Sequence, residues 1–174
     1  MNFGTGENCF VCSCFKRDLS SYVCYILCRG LQVVLQTGNM TTYPETCSKA
    51  TATFSVLSDT IRMVQETLST RKKRPDLAKL LKQLQSHEKE KLHLTAAHHL
   101  ERIRQRNNDM QLQQQQQRLD SQNDDQIGSS SQDDRISQLL REGVASLQVK
   151  INTCVESINE VLEEIRCAIL DEED

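Results

Sequence analysis

The hydrophobic positions of this 174-residue chain recur with helical periods. After Tyr43-Pro44, the residues Cys47, Ala50, Phe54, Leu57, Ile61, Val64 and Leu68 follow one another at alternating steps of three and four. That spacing sets one apolar stripe along a helix and predicts an amphipathic helix over about 43–70. Thr42 is placed to cap it and Pro44 to occupy its first turn. The sequence Arg71-Lys72-Lys73-Arg74-Pro75-Asp76 then breaks the stripe: bases suit a helix C-terminus and proline suits the next N-terminus. A second, weaker seam runs through Leu77, Leu80, Leu81, Leu84, Leu92, Ala96 and Ile103, with Glu88 and His99 at intervening positions.

From Arg106 the text turns polar, and Gln fills six of the seven positions 111–117. With so little apolar surface to offset ordering entropy, residues 107–133 are expected to form a Gln/Ser/Asp-rich disordered linker. The last seam is the most regular: Ile136, Leu140, Val144, Leu147, Ile151, Cys154, Ile158, Val161, Ile165 and Ala168 keep one face apolar over 134–170, with Asp133 or Asp134 as cap.

These runs predict an all-α fold, an antiparallel, coiled-coil-like bundle of three long amphipathic helices, with 18–37 as a shorter fourth. The expected organisation is a Cys-rich segment over 1–30, a helical hairpin over 31–106, the linker, the helix over 134–170 and an acidic tail over 171–174. Phe54, Leu57, Ile61, Val64, Leu84, Leu147, Ile151, Ile158, Val161 and Ile165 are the expected core. An aspartate in place of Ile151 is expected to cost several kcal/mol as a buried unpaired charge. A heptad face closes equally well within one chain or against a second copy, so a homodimer fits the pattern too.

Composition supports this class. Six Gly, two Pro, no Trp and 4% aromatic residues supply too few turn and strand formers for a sandwich or barrel. The net charge of -3 hides an uneven distribution. Residues 71–106 carry eleven bases against four acids, whereas 107–174 carry five bases against fifteen acids. Segments of opposite sign attract one another in an antiparallel bundle, or the basic one meets an acidic partner.

Five of the eight cysteines fall in the first 28 residues: Cys9, Cys12, Cys14, Cys24 and Cys28. Cys9 and Cys12 have zinc-ligand spacing, but no second pair repeats it, so no metal site is expected there. Cys47, Cys154 and Cys167 lie on apolar helix faces, where reduced cysteine acts as a small hydrophobe. Lys16, Arg17 and Asp18 come too late for a secretory leader, and Leu19–Cys28 is too short to span a bilayer, so a reducing compartment and no membrane are expected. In such a compartment the sequon Asn39-Met40-Thr41 stays unglycosylated.

The chain shows little catalytic chemistry. His87-Glu88-Lys89-Glu90-Lys91 begins like a zinc-protease helix but has Lys91 where the second histidine belongs. His93, His98 and His99 fall on a basic stretch read as exposed. Gly4-Thr5-Gly6 lacks the strand and the Lys-Ser/Thr ending of a phosphate loop, and no nucleophile has a base and orienter at a defensible spacing. The expectation is no enzyme, no metal and no cofactor. Interaction surface remains, chiefly Arg71, Lys72, Lys73 and Arg74, then Arg102, Arg104 and Arg106. The tetrad fits a nuclear import signal, a nucleic-acid contact or a solvated turn. No aromatic platform accompanies it, so protein partners rank above a weak direct DNA contact.

Four strings of residues resemble a known family. They are Leu35-Gln36-Thr37-Gly38-Asn39 before a tyrosine-led helix; Thr51-Ala52-Thr53-Phe54-Ser55 with Ser58 and Ile61; Leu84 with Glu88-Lys89-Glu90-Lys91-Leu92 and Leu94-Thr95-Ala96; and Glu156-Ser157-Ile158-Asn159-Glu160-Val161-Leu162-Glu163-Glu164-Ile165-Arg166. In this order and spacing, over roughly 31–105 and 136–167, the chain resembles the Required-for-excision family, B type, whose members are small helical proteins associated by name with DNA excision repair. Residues 1–28 and the Gln-rich insert 111–132 resemble no part of it. The resemblance implies a nuclear, repair-associated accessory protein and supplies no catalytic residue. The alternative from the residues alone is a general coiled-coil adaptor or complex subunit unrelated to repair.

Overall fold

The computed structural model describes residues 19–120 and 130–170, which form four helices and, among the described residues, no strand. They are α1 (Leu19–Thr37), α2 (Tyr43–Thr70), α3 (Pro75–Asp120) and α4 (Ser130–Leu170). The fold class is all-α, with helices packed on helices. The chain divides into two compact units. One comprises Met1–Leu92 with Asn152–Asp174, the other His93–Ile151.

In the first unit α1 buries Val23, Leu27, Leu31 and Val34, each at most 6% exposed, at steps of four, four and three. Its stop is written in the Leu35–Asn39 string. Gly38 takes a left-handed φ of 74°, and its N–H donates to the Val34 carbonyl at 2.8 Å, a glycine C-cap. The Asn39 side-chain oxygen then accepts from the backbone N–H and the hydroxyl of Thr41 at 2.9 and 2.7 Å, folding the connection back. The family string is thus a helix stop followed by an Asx turn.

Helix α2 begins and ends where the seam predicts, with Pro44 in its first turn. The Thr42 side chain, however, makes no capping bond. Thr42 adopts helical φ and ψ of -89° and -13°, and a capping hydroxyl needs an extended backbone to reach the first free N–H groups. Its carbonyl instead accepts from the N–H and hydroxyl of Thr46, both at 3.1 Å. The α1–α2 crossing is close at Gly30, where an added Cβ would lie 2.7 Å from the Thr46 methyl. Around it Val23, Leu27 and Ala50 form a buried cluster, flanked by Ile26, Cys47, Phe54, Leu57 and Leu92.

The Gln85 amide fixes α3 against α2, donating to the Ser58 carbonyl at 2.8 Å and accepting from Gln65 at 3.0 Å. The start of α3 and the end of α4 run antiparallel: Arg74 bonds to Ala168 and Cys154 to His87, so one sequence rises as the other falls. Here Ile158 is fully buried, with Cys154 and Val161 at 5% and 7% exposure.

Several expected core residues are buried or half-buried: Phe54, Leu57, Ile61, Leu84 and Ile165 are half-buried in this unit, as is Leu147 in the other, where Ile151 is 2% exposed. Val64, expected in the core, is 45% exposed. With Gly30 opposite Thr46, Leu19 falls opposite about position 57, so Val64 lies past the described part of α1.

In the second unit, α3 does not fray after Arg106. It continues to Asp120, so residues 107–120 are helical and not linker. Gln loses little side-chain freedom in a helix, and extending a formed helix is far cheaper than nucleating one. Leu112 is half-buried, and the Asn108 amide donates to the Ser137 hydroxyl at 2.8 Å. Helix α4 starts at Ser130, which puts Asp133 inside its first turn and not at the cap, where a carboxylate still complements the positive end of the helix dipole. Residues 130–133, also expected as linker, are the first turn of α4, while 121–129 lie outside the described residues, as do the Cys-rich 1–18 and the acidic tail 171–174.

Candidate functional site

The basic tetrad forms the turn between α2 and α3. The N–H groups of Arg71 and Lys72 both reach the Thr67 carbonyl, at 2.9 and 3.1 Å, and Lys73 takes a left-handed φ of 53° that lets the Arg74 N–H reach Leu68 at 2.9 Å. A side chain in that conformation costs about 1–2 kcal/mol. Lys73→Gly should therefore raise stability by about 0.5–1 kcal/mol, once the extra freedom of glycine in the unfolded chain is set against the relieved strain. Lys73→Ile should lower it; urea titrations of the two variants check the sign.

The four bases differ in what they do. Arg71, Lys72 and Lys73 are exposed. Arg74 is only 18% exposed at its side chain; it forks onto the Asp76 carboxylate, with bonds of 2.8 to 3.1 Å, and donates to the Ala168 carbonyl at 2.8 Å. A guanidinium at the C-terminal end of α4 meets the negative end of that helix. The hydrogen bonds from Arg74 hold the Asp76 carboxyl below its ordinary pKa. Arg74 is a structural pin, so only the first three bases of the tetrad face solvent.

Also in this unit, Lys91 is 3% exposed and paired with Glu88 at 2.5 Å. Cys154 comes up against α3 and donates its thiol to the His87 carbonyl at 3.1 Å. Burial pushes the Cys154 thiol up, and the Glu90 carboxylate adds to this. One ligand atom each from His87, Glu90 and Cys154 lies within 4.8 Å of the others. Tyr43, 7% exposed, has its phenol pushed above the usual range by burial and then by Cys47, to which it is hydrogen-bonded.

The second unit holds the other basic residues. Arg104 is exposed and paired with Glu101 at 2.7 Å, while Arg102 and Arg106 are half-buried. His99, expected on an exposed stretch, is 2% exposed. Thr95, His99 and Ile103 recur every four residues and share the buried face of α3. Burial pushes the His99 imidazole down to about 4, helped by neighbouring His98 and Arg102. Burial also lowers His98, whose ring centroid lies 6.1 Å from that of His99. The four-residue spacing into Ile103 was the available signal for this face; the polar letters hid it.

Cys47, Cys154 and Cys167 are free thiols. Cys24 and Cys154 are buried and Cys47 packs on the core, but Cys167, expected on an apolar face, is exposed. Cys9, Cys12 and Cys14 lie outside the described residues. No helix among the described residues is long and apolar enough to cross a membrane.

These elements define an all-α protein of antiparallel helices with a basic inter-helix turn. Residues 23–102 match the family model described as DNA repair REX1-B, the family to which the sequence strings point. The match begins inside α1, so Val23–Cys28, set apart by sequence as part of the Cys-rich segment, lie within it; it does not reach 136–167. No curated protein and no solved structure matches the chain. The description of the matched family names DNA repair.

Proposed function

We propose that this chain is a non-catalytic, nuclear accessory protein of DNA excision repair that works through protein contacts. The match of residues 23–102 to the DNA repair REX1-B family carries this reading. Apolar side chains left in water on α2 support the protein-contact part: Val56 and Met63 are 65% and 70% exposed and, one heptad apart, share a helix face. Single exposed apolar residues are ordinary; a pair one heptad apart on one face gives a partner helix its anchor positions. About two turns further on, exposed Arg71, Lys72 and Lys73 add positive charge, which favours an acidic partner and fits an import signal.

Affinity purification of the tagged full chain from nuclear extract tests the reading. Repair or chromatin proteins should be recovered, and the double variant Val56→Asp/Met63→Asp should recover at least about 10-fold less of them, as expected when anchor residues are lost. Its helical circular dichroism should be unchanged, because both positions are exposed. Recovery of cytoskeletal or vesicle-tethering proteins alone would instead favour a general coiled-coil adaptor.

A further inference from the structure

His87 lacks a second histidine at position 91, but the packing of α4 on α3 brings it a different partner. His87 and Glu90 stand three residues apart on α3 and so project from one side of it, and Cys154 meets them from α4. Imidazole nitrogen, thiol sulfur and carboxylate oxygen all lie within 4.8 Å of one another. We propose that His87, Glu90 and Cys154 form a zinc site that ties α3 to α4, with water in the fourth position.

The donor set selects the metal. One thiolate and one imidazole with a single carboxylate suit zinc, whereas calcium and magnesium take oxygen ligands. At zinc bond lengths of about 2.0–2.3 Å, tetrahedral ligands sit about 3.5 Å apart, so the three donors close by roughly 1 Å. The exposed Glu90 and half-buried His87 have side-chain freedom for that adjustment. Cys154 is the fixed member, buried on α4, and the thiol proton that the His87 carbonyl accepts in the metal-free chain is the one released on binding.

Charge points the same way. Glu90 faces the sulfur, and Glu88 and Lys91 form an ion pair next to it. With Cys154 as thiolate, the three negative groups and Lys91 sum to two negative charges, which one divalent cation neutralises. Binding converts the thiol to a zinc-bound thiolate and releases its proton to solvent, so affinity rises with pH.

The test uses the full chain, reduced and metal-free, with Cys9, Cys12 and Cys14 changed to Ser to silence the N-terminal thiols. Cobalt(II) is the spectroscopic probe and zinc the competitor. A thiolate-to-cobalt absorption band should appear at one equivalent, disappear on adding zinc, and be lost in Cys154→Ser. Glu90→Gln, at an exposed position that leaves the fold intact, should weaken binding by at least about 10-fold, as should His87→Gln. A band that is absent, survives Cys154→Ser, or is indifferent to Glu90→Gln overturns the site. The repair reading does not depend on either result.

Discussion

Ile158→Asp should abolish cooperative folding of the unit that contains α1, α2 and the paired segments of α3 and α4. Ile158 is fully buried, with Cys154 four residues before it and Val161 three after it at 5% and 7% exposure. A carboxylate there has no place to be solvated, and the loss is about 4–5 kcal/mol or more. Domains of this size are stable by only about 5–15 kcal/mol, so the variant sits at the edge of unfolding. Ile158→Val, which removes one methylene, should cost only about 0.5–1.5 kcal/mol. Met63→Ala, at a position 70% exposed, should stay within about 0.5 kcal/mol of the parent. Urea unfolding followed by circular dichroism ranks the three. A cooperative melt retained in Ile158→Asp within about 1 kcal/mol of the parent would remove Ile158 from the core.

The second large effect is a dependence of stability on pH set by His99. Its imidazole titrates near 6.5 in the unfolded chain and is pushed down to about 4 when folded, by burial first and then by His98 and Arg102. Between these values the unfolded chain binds a proton that the folded chain refuses, so stability rises with pH across this window. The contribution is fully present above about pH 6.5, is lost progressively as pH falls toward 4, and amounts to about 3 kcal/mol. His98, lowered in the same direction, adds to the trend. Carboxylates also titrate in acid, so the informative quantity is the difference between the parent and His99→Gln. Urea unfolding at several pH values from 4 to 7.5 should show a steeper slope in the parent; parallel slopes would mean that His99 is solvated.

Much of the fold was legible because a helix that buries one face must repeat apolar letters every three to four residues. The seam from Cys47 to Leu68 marked α2 at both ends, and Pro75 marked the start of α3. Hydrophobic content failed as a guide where it was asked to report helix length. Residues 107–120 have few apolar letters, yet α3 runs through them because glutamine is a good helix former and the helix was already nucleated. Capping failed at Thr42 for a backbone reason, its helical φ and ψ, which no side-chain identity reveals.

The candidate site was legible in part. The tetrad was visible as charge, but its division was not: Arg74 is held by a carbonyl 94 residues away in the sequence, at Ala168. The same holds for Cys154, whose meeting with His87 and Glu90 depends on the register between two helices. His99 was misread because a histidine in a basic stretch reads as solvated, whereas its four-residue spacing to Thr95 and Ile103 places it on the buried face.

Proximity labelling in cells tests the central claim most directly. The intact chain is compared with a variant in which Arg71, Lys72 and Lys73 become Gln and Arg74 is left to hold α4. The account predicts nuclear labelling of excision-repair proteins by the intact chain, with both the location and these neighbours lost in the variant while helical content is retained. A cytoplasmic neighbourhood without repair proteins, the same for both chains, would contradict it.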